Sequence, residues 1–246
     1  MSTLTRREAL AVLAAPLGLA TLRGRATRAP DPLKVLVAGG HPDDPESGCG
    51  GTIARYADAG NDVLVLYLTR GEAGIDGRTH DEAARIRSAE AERACVLLGA
   101  APRFFGQIDG DTRVDAAAYA AMRDLLAQVR PDVILTQWPV DTHRDHRAVS
   151  LLAYDAWLGT GRRAALGYYE VLTGDQTQIF RPTDYVDITA VARRKRDAVF
   201  AHASQKPDEW YPAHERMARF RGMEHGCEAA EAFVRHDRGP ALPLPA

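Results

Sequence analysis

Two short stretches carry the side chains that could do chemistry. In VLVAGGHPDDPESGCGGTIA, residues 35–54, one imidazole (His41) and two adjacent carboxylates (Asp43 and Asp44) crowd the end of an apolar run. In PVDTHRDH, residues 139–146, His143 and His146 flank Asp145. A neutral imidazole and a carboxylate are both good zinc ligands, and two histidines with one carboxylate form a recognised catalytic set with a coordination position left open for water. His41 and Asp44 would supply two ligands, with the third coming from His143 or His146. Asp43 would then be a spare carboxylate beside that water, the right type of group for a general base. Taken alone, each stretch is as easily a turn or a helix start, with Asp141 or Thr142 capping and the histidines solvated. It is the pair that points to a metal.

The elements around them must bring the two stretches together. LKVLVAG (33–39) and NDVLVLYLT (61–69) are short apolar runs that read as buried strands. Between them GGTIARYADAG has a helical pattern that stops at Gly60, which makes a βαβ unit. Glycines 39 and 40 are expected to let the backbone turn sharply at the first strand's end. A helix over 81–100 ends near Gly99, and a third strand is expected at 103–105. A helix over 116–130 and Pro131 then introduce the strand DVILTQW, 132–138. Residues 147–159 read as a helix, and 167–172 and 184–189 as strands. Helices over 190–204 and 214–236 are expected to finish the chain. Such alternation implies an α/β fold, a Rossmann-like three-layer sandwich with a mainly parallel sheet. Ligands of such sheets bind beyond the carboxyl ends of the strands, where both stretches and TRGEAGIDG (69–77) fall.

The first thirty residues stand apart. Arg6 and Arg7 precede an apolar run from Ala9 to Leu22, and Arg23, Arg25 and Arg28 follow it. This pattern resembles a twin-arginine export signal, which assigns 1–30 to targeting and 31–246 to one mature domain in the periplasm or outside the cell. The segment carries a net charge of +4, so the whole-chain value of −2 becomes −6 for the remainder. An acidic domain lacks the basic footprint of a nucleic-acid binder. No stable membrane span is expected in the mature form. Cys49, Cys95 and Cys227 match no structural zinc spacing and read as small buried residues.

The two stretches together, AGGHPDDPESGCGGTIA and PDVILTQWPVDTHRDHRA, resemble the LmbE-like (PIG-L) family of zinc-dependent N-deacetylases. The likeness extends to LTRGEAG, RIRSAEAERACVLLGA, KRDAVFAHASQ and FRGMEHGCEAAEAFVR. It implies one Zn²⁺ per chain held by His41, Asp44 and His146, with Asp43 as general base. His143 would polarise the carbonyl and steady the oxyanion, and Asp145 would orient an imidazole. Arg87 matches an arginine that contacts substrate hydroxyls in sugar-conjugate members, although it could also pair with Glu90 on its own helix face. The implied reaction is hydrolysis of an N-acetyl group from a small-molecule or oligosaccharide amino-sugar substrate, with release of acetate. Two departures stand out: Pro45 replaces the family's glutamate, with Glu46 next, and Arg144 replaces a frequent proline. Two alternatives remain at this stage, a zinc amidase for a larger acyl group and a non-catalytic glycan-binding protein. GCGGT does not match GxGxxG, and there is no GxSxG elbow.

Overall fold

Residues 31–245 are described by the computed structural model. The export-signal reading of residues 1–30 therefore lies outside the described residues. From Pro32 onward the chain forms a compact unit. Its elements in chain order begin β1 (Lys34–Gly39), α1 (Asp44–Asp58), β2 (Asp62–Tyr67), α2 (His80–Leu98) and β3 (Ala101–Phe104). The middle contributes α3 (Ala116–Val129), β4 (Val133–Gln137), α4 (Arg144–Gly159) and β5 (Ala165–Tyr169). The chain closes with β6 (Asp184–Asp187), α5 (Ala192–Phe200), α6 (Pro207–His225) and β7 (Ala230–Arg235).

The seven strands form one sheet in the order β3-β2-β1-β4-β5-β7-β6. The first five are parallel, and β7 runs antiparallel to both β5 and β6. Strand alternation divides the core into two layers. Val35, Val37, Val63, Val65, Val133 and Leu135 pack with Ile53 of α1, Leu98 of α2 and Ala198 of α5. Leu36, Leu66, Ile134 and Leu166 pack on the other face with Met122 of α3 and Val149 of α4. The result is the three-layer, mainly parallel sandwich that the sequence implies.

One expected element is corrected. Residues 214–236 are not a single helix, because Gly226 at φ 90° ends α6 and the chain re-enters the sheet as β7. Its apolar-rich run AEAFVR fits between β5 and β6, buried at four of its six positions. Register then sets up the site. Gly39 of β1 lies opposite Tyr67 of β2, and Ala38 opposite Thr136 of β4, so the loops after these strands leave the sheet at one level. The connections from β1 and β4 run to opposite sides there, and that switch point is where an open α/β sheet binds its ligand.

Candidate active site

The loop after β1 is tied down from both neighbouring strands. The Gly40 amide donates to Gln137 Oε1 at 2.8 Å, and the Thr69 hydroxyl donates to Gly40 O at 3.0 Å. Glycine is needed at 39 and 40 for close approach rather than for the expected sharp turn. A Cβ at Gly39 would lie 2.7 Å from the Pro45 ring, and one at Gly40 would lie 3.0 Å from His146 Cδ2. The left-handed position falls instead on Asp43, at φ 105° and ψ −28°. Pro45 is accommodated in the first turn of α1, where a missing N–H costs nothing.

Asp44 is the hinge of the cluster. Its Oδ2 accepts the His41 backbone N–H at 2.8 Å and lies 3.1 Å from His41 Nδ1 and 3.2 Å from His146 Nε2. The far side of the His41 ring, Nε2, faces Asp145 Oδ2 at 3.1 Å and Asp109 Oδ1 at 3.2 Å. His146 is held from behind, its Nδ1 3.0 Å from Asp141 Oδ1. Asp141 also accepts the His143 amide at 2.8 Å, so one carboxylate places both histidines at the start of α4. The rings of His41 and His143 are 4.6 Å apart edge to face, and those of His143 and His146 are 4.8 Å apart.

Electrostatics divide the three imidazoles. Burial works against a charge on His41, but hydrogen bonds to Asp109, Asp145 and Asp44 outweigh it and hold its pKa well above the usual imidazole range. His146 is buried too, and Asp44 with Asp141 still pushes it up to about 9. His143 goes the other way, lowered by burial and by its two imidazole neighbours. The shift favours its neutral form. Because the Asp145 amide donates to its Nδ1 at 3.3 Å, the neutral ring carries its proton on Nε2 and offers a donor there. Burial raises Asp43 to about 6 despite the opposing Arg87, whereas the facing histidines hold Asp44 well below the usual carboxylate range. Asp145 is also lowered, since His41, Thr112 and Gly110 overcome its burial.

These residues suit a metal ion. Ligand atoms of His41, His143 and His146 lie within 4.8 Å of one another, as do those of His41, Asp109, His143 and Asp145. Asp44, Asp109, Asp141 and Asp145 all face the His41 and His146 rings within 3.2 Å, a buried, carboxylate-rich place that favours positive charge. The structure thus brings together His41, Asp43, Asp44, His143, Asp145 and His146. The Asp145 carboxylate touches the imidazole of His41, and its amide that of His143. Arg87 reaches Asp43 Oδ2 at 3.1 Å and does not pair with Glu90, whose carboxylate accepts from the Ser204 amide and hydroxyl.

Residues 36–157 match the family model described as PIG-L, GlcNAc-PI de-N-acetylase. The chain belongs to the PIG-L family. A diacetylchitobiose deacetylase of Thermococcus kodakarensis is 29% identical over 82% of this chain and 83% of its own. The N,N'-diacetylchitobiose deacetylase of Pyrococcus horikoshii superposes with a TM-score of 0.75 at 25% identity, covering 86% of this chain and 88% of that one. A relative of a different name, 4-oxalmesaconate hydratase of Pseudomonas putida, is 27% identical over 77% of this chain and 80% of its own.

This PIG-L chain also uses carboxylates that motif reading did not single out for chemistry. Asp109, in the loop after β3, sits against His41, and Asp141 anchors His146 and His143. Asp141 was visible in the sequence only as a candidate cap. Asp109 lies in GQIDGDT, far from both signature stretches, and only the fold brings it to the site. No described helix is long and apolar enough to cross a membrane.

Proposed function

We propose that this chain is a zinc-dependent N-deacetylase that hydrolyses the acetamide of an N-acetylated amino sugar and releases acetate. The observation that carries it is a division of labour among neighbours: Asp44 joins His41 and His146, while the Asp43 carboxylate and the His143 ring, its Nδ1 taken by the Asp145 amide, are left over beside them. His41, Asp44 and His146 would hold the zinc, which supplies Lewis acidity that polarises the carbonyl and lowers the pKa of water toward about 7. Asp43, with its pKa near 6, accepts the proton of water as the oxygen attacks the carbonyl carbon. The N–H at His143 Nε2 donates to the developing oxyanion. The proton taken by Asp43 passes to the nitrogen as the C–N bond breaks, so amine and acetate leave and the site returns to its starting state. Relatives named as deacetylases of N-acetylated sugars support the substrate class.

Water addition to a carbon–carbon double bond is the second reading, favoured by the hydratase among the relatives. It would use the same base and the same Lewis acid but release no acid. Incubation with N-acetylglucosamine or N,N'-diacetylchitobiose in ¹⁸O water separates the two. The proposal expects stoichiometric acetate carrying one ¹⁸O atom. Absence of acetate from every N-acetyl sugar tested, with metal bound, would contradict it. The paired arginines and apolar run within residues 1–30 support an exported enzyme acting on envelope or extracellular material.

A further inference from the structure

Two of the buried charged side chains that the reaction leaves without a role, Glu46 and Arg87, lead to the same strained residue. Asp43 has a left-handed backbone at φ 105°, a conformation that is strained for a non-glycine residue and persists only where neighbours impose it. Glu46 is fully buried, and its Oε2 accepts the Asp43 N–H at 3.2 Å. Its other oxygen is fixed by the Tyr67 hydroxyl at 2.5 Å and faces His202 Nε2 at 3.2 Å. Arg87 is only 3% exposed, and its Nη2 donates to Pro42 O at 2.5 Å and to Asp43 Oδ2 at 3.1 Å.

Pro42 C=O and Asp43 N–H are the two ends of one peptide unit. Relaxing Asp43 out of its left-handed state by a peptide flip would turn that unit over. Arg87 holds one end and Glu46 the other, and Arg87 also aims the carboxylate. The loop after β2 makes room for this. A Cβ on Gly71 or Gly74 would come within 2.3 Å of Arg87 Nη1. Gly71 needs glycine in any case for its φ of 69°, but Gly74 has no positive φ, and the guanidinium is the main obstacle to a side chain there, with Gly71 O next at 3.3 Å. The displaced glutamate of the signature gains a meaning as well. One residue later in α1, Glu46 occupies the third helical position, from which a side chain reaches back to the capping N–H.

We propose that Arg87 and Glu46 are positioning residues that pin the Pro42–Asp43 peptide at both ends and point the Asp43 carboxylate into the site, so that Arg87 acts through Asp43 and not by reading substrate hydroxyls. The inference rests on the deacetylase reading only in calling Asp43 the base. It is tested with Arg87→Gln and with Gly74→Ala, which displaces the guanidinium while leaving every charged group in place. Expected in both variants is a fall in kcat of about 10- to 100-fold with KM within about threefold and metal content unchanged. Crystal structures of both should show the Asp43 φ leaving the positive region. A rise in KM with kcat preserved would make Arg87 a substrate contact and overturn the proposal. So would an Asp43 that keeps its left-handed φ in both variants. The crystallographic result holds whatever reaction the protein catalyses, so failure of the clamp and failure of the deacetylase reading remain distinguishable.

Discussion

Two buried charge clusters among the described residues are built on opposite plans. One ties β7 to α1 and α5 and, beside that, α6 to the segment after β5. There Glu231 accepts from the Gly51 and Thr52 amides, the Thr52 hydroxyl and Lys195 Nζ, all within 2.8 Å. Arg221 is paired with Glu170 at 2.6 and 2.8 Å and with Glu224 at 2.7 Å. Burial works against the charge on Lys195, but Glu231 outweighs it and the pKa rises. Glu231 also has a mechanical task. α1 is kinked at Cys49, and the carboxylate caps the amides that the kink exposes. The other cluster, at the ends of β1 and β4, leaves its charges unevenly matched. His41 is shared by Asp44, Asp109 and Asp145, Asp43 is raised toward neutral pH, and its backbone is strained. A cluster in which every buried carboxylate is matched by a cation and further donors holds helices in place. A cluster with surplus carboxylates and a strained acid is poised to take a cation and move a proton.

The contrast can be broken by substitution in either place. The largest effect is expected at Asp43→Asn, which should keep fold and metal but lower kcat by about 10³-fold. Steady-state kinetics beside metal analysis decide this, and near-parental turnover would remove Asp43 as the base. In the matched cluster, Lys195→Ala should cost about 3–5 kcal/mol of stability by leaving Glu231 charged and partly unpaired. Urea denaturation measures it, and an unchanged midpoint would show that Glu231 is satisfied by the α1 amides alone. His143→Ala should lower kcat by about 10²–10³-fold while leaving metal bound. Loss of metal in that variant would instead make His143 a ligand, in line with the grouping of the three imidazoles.

The smallest effect concerns pH. Burial lowers His214 to about 4, with Lys195 adding to the shift. Its folded pKa lies below the unfolded value of about 6.5, so the unfolded chain takes up the proton first as pH falls. The stability that neutral His214 contributes is complete above about pH 6.5 and is lost on the way down to about pH 4, on the order of 3 kcal/mol. Denaturation midpoints for His214→Gln should fall less steeply over that window than those of the parent. Parallel slopes would contradict the assignment.

Much of this was legible in the residues. β-branched runs ending in glycine placed β1 and β2, and Gly99 capped α2 at φ 76° as its position after the last apolar residue suggested. HPDD and THRDH named the residues that meet, because both follow strands whose ends share one sheet edge. Strand β7 was less legible, since AEAFVR continues an alanine-rich helical pattern and only its place between β5 and β6 makes it extended. The partner of Arg87 was hidden for a similar reason. Helical spacing offered Glu90, whereas the glycines at 71 and 74 that open its path to Asp43 lie in a loop with no periodic signal. Asp109 and Glu46 gain their places from contacts between distant segments, which local pattern does not encode.

Whether the surplus cluster is a metal site is read straight from the metal content per chain. Parent protein and His146→Ala would be purified in parallel, checked for fold by circular dichroism, and analysed by inductively coupled plasma mass spectrometry. A metal site there should give about one zinc per chain in the parent and loss of it in the variant. Equal metal in both, or none in either with the fold intact, would contradict it.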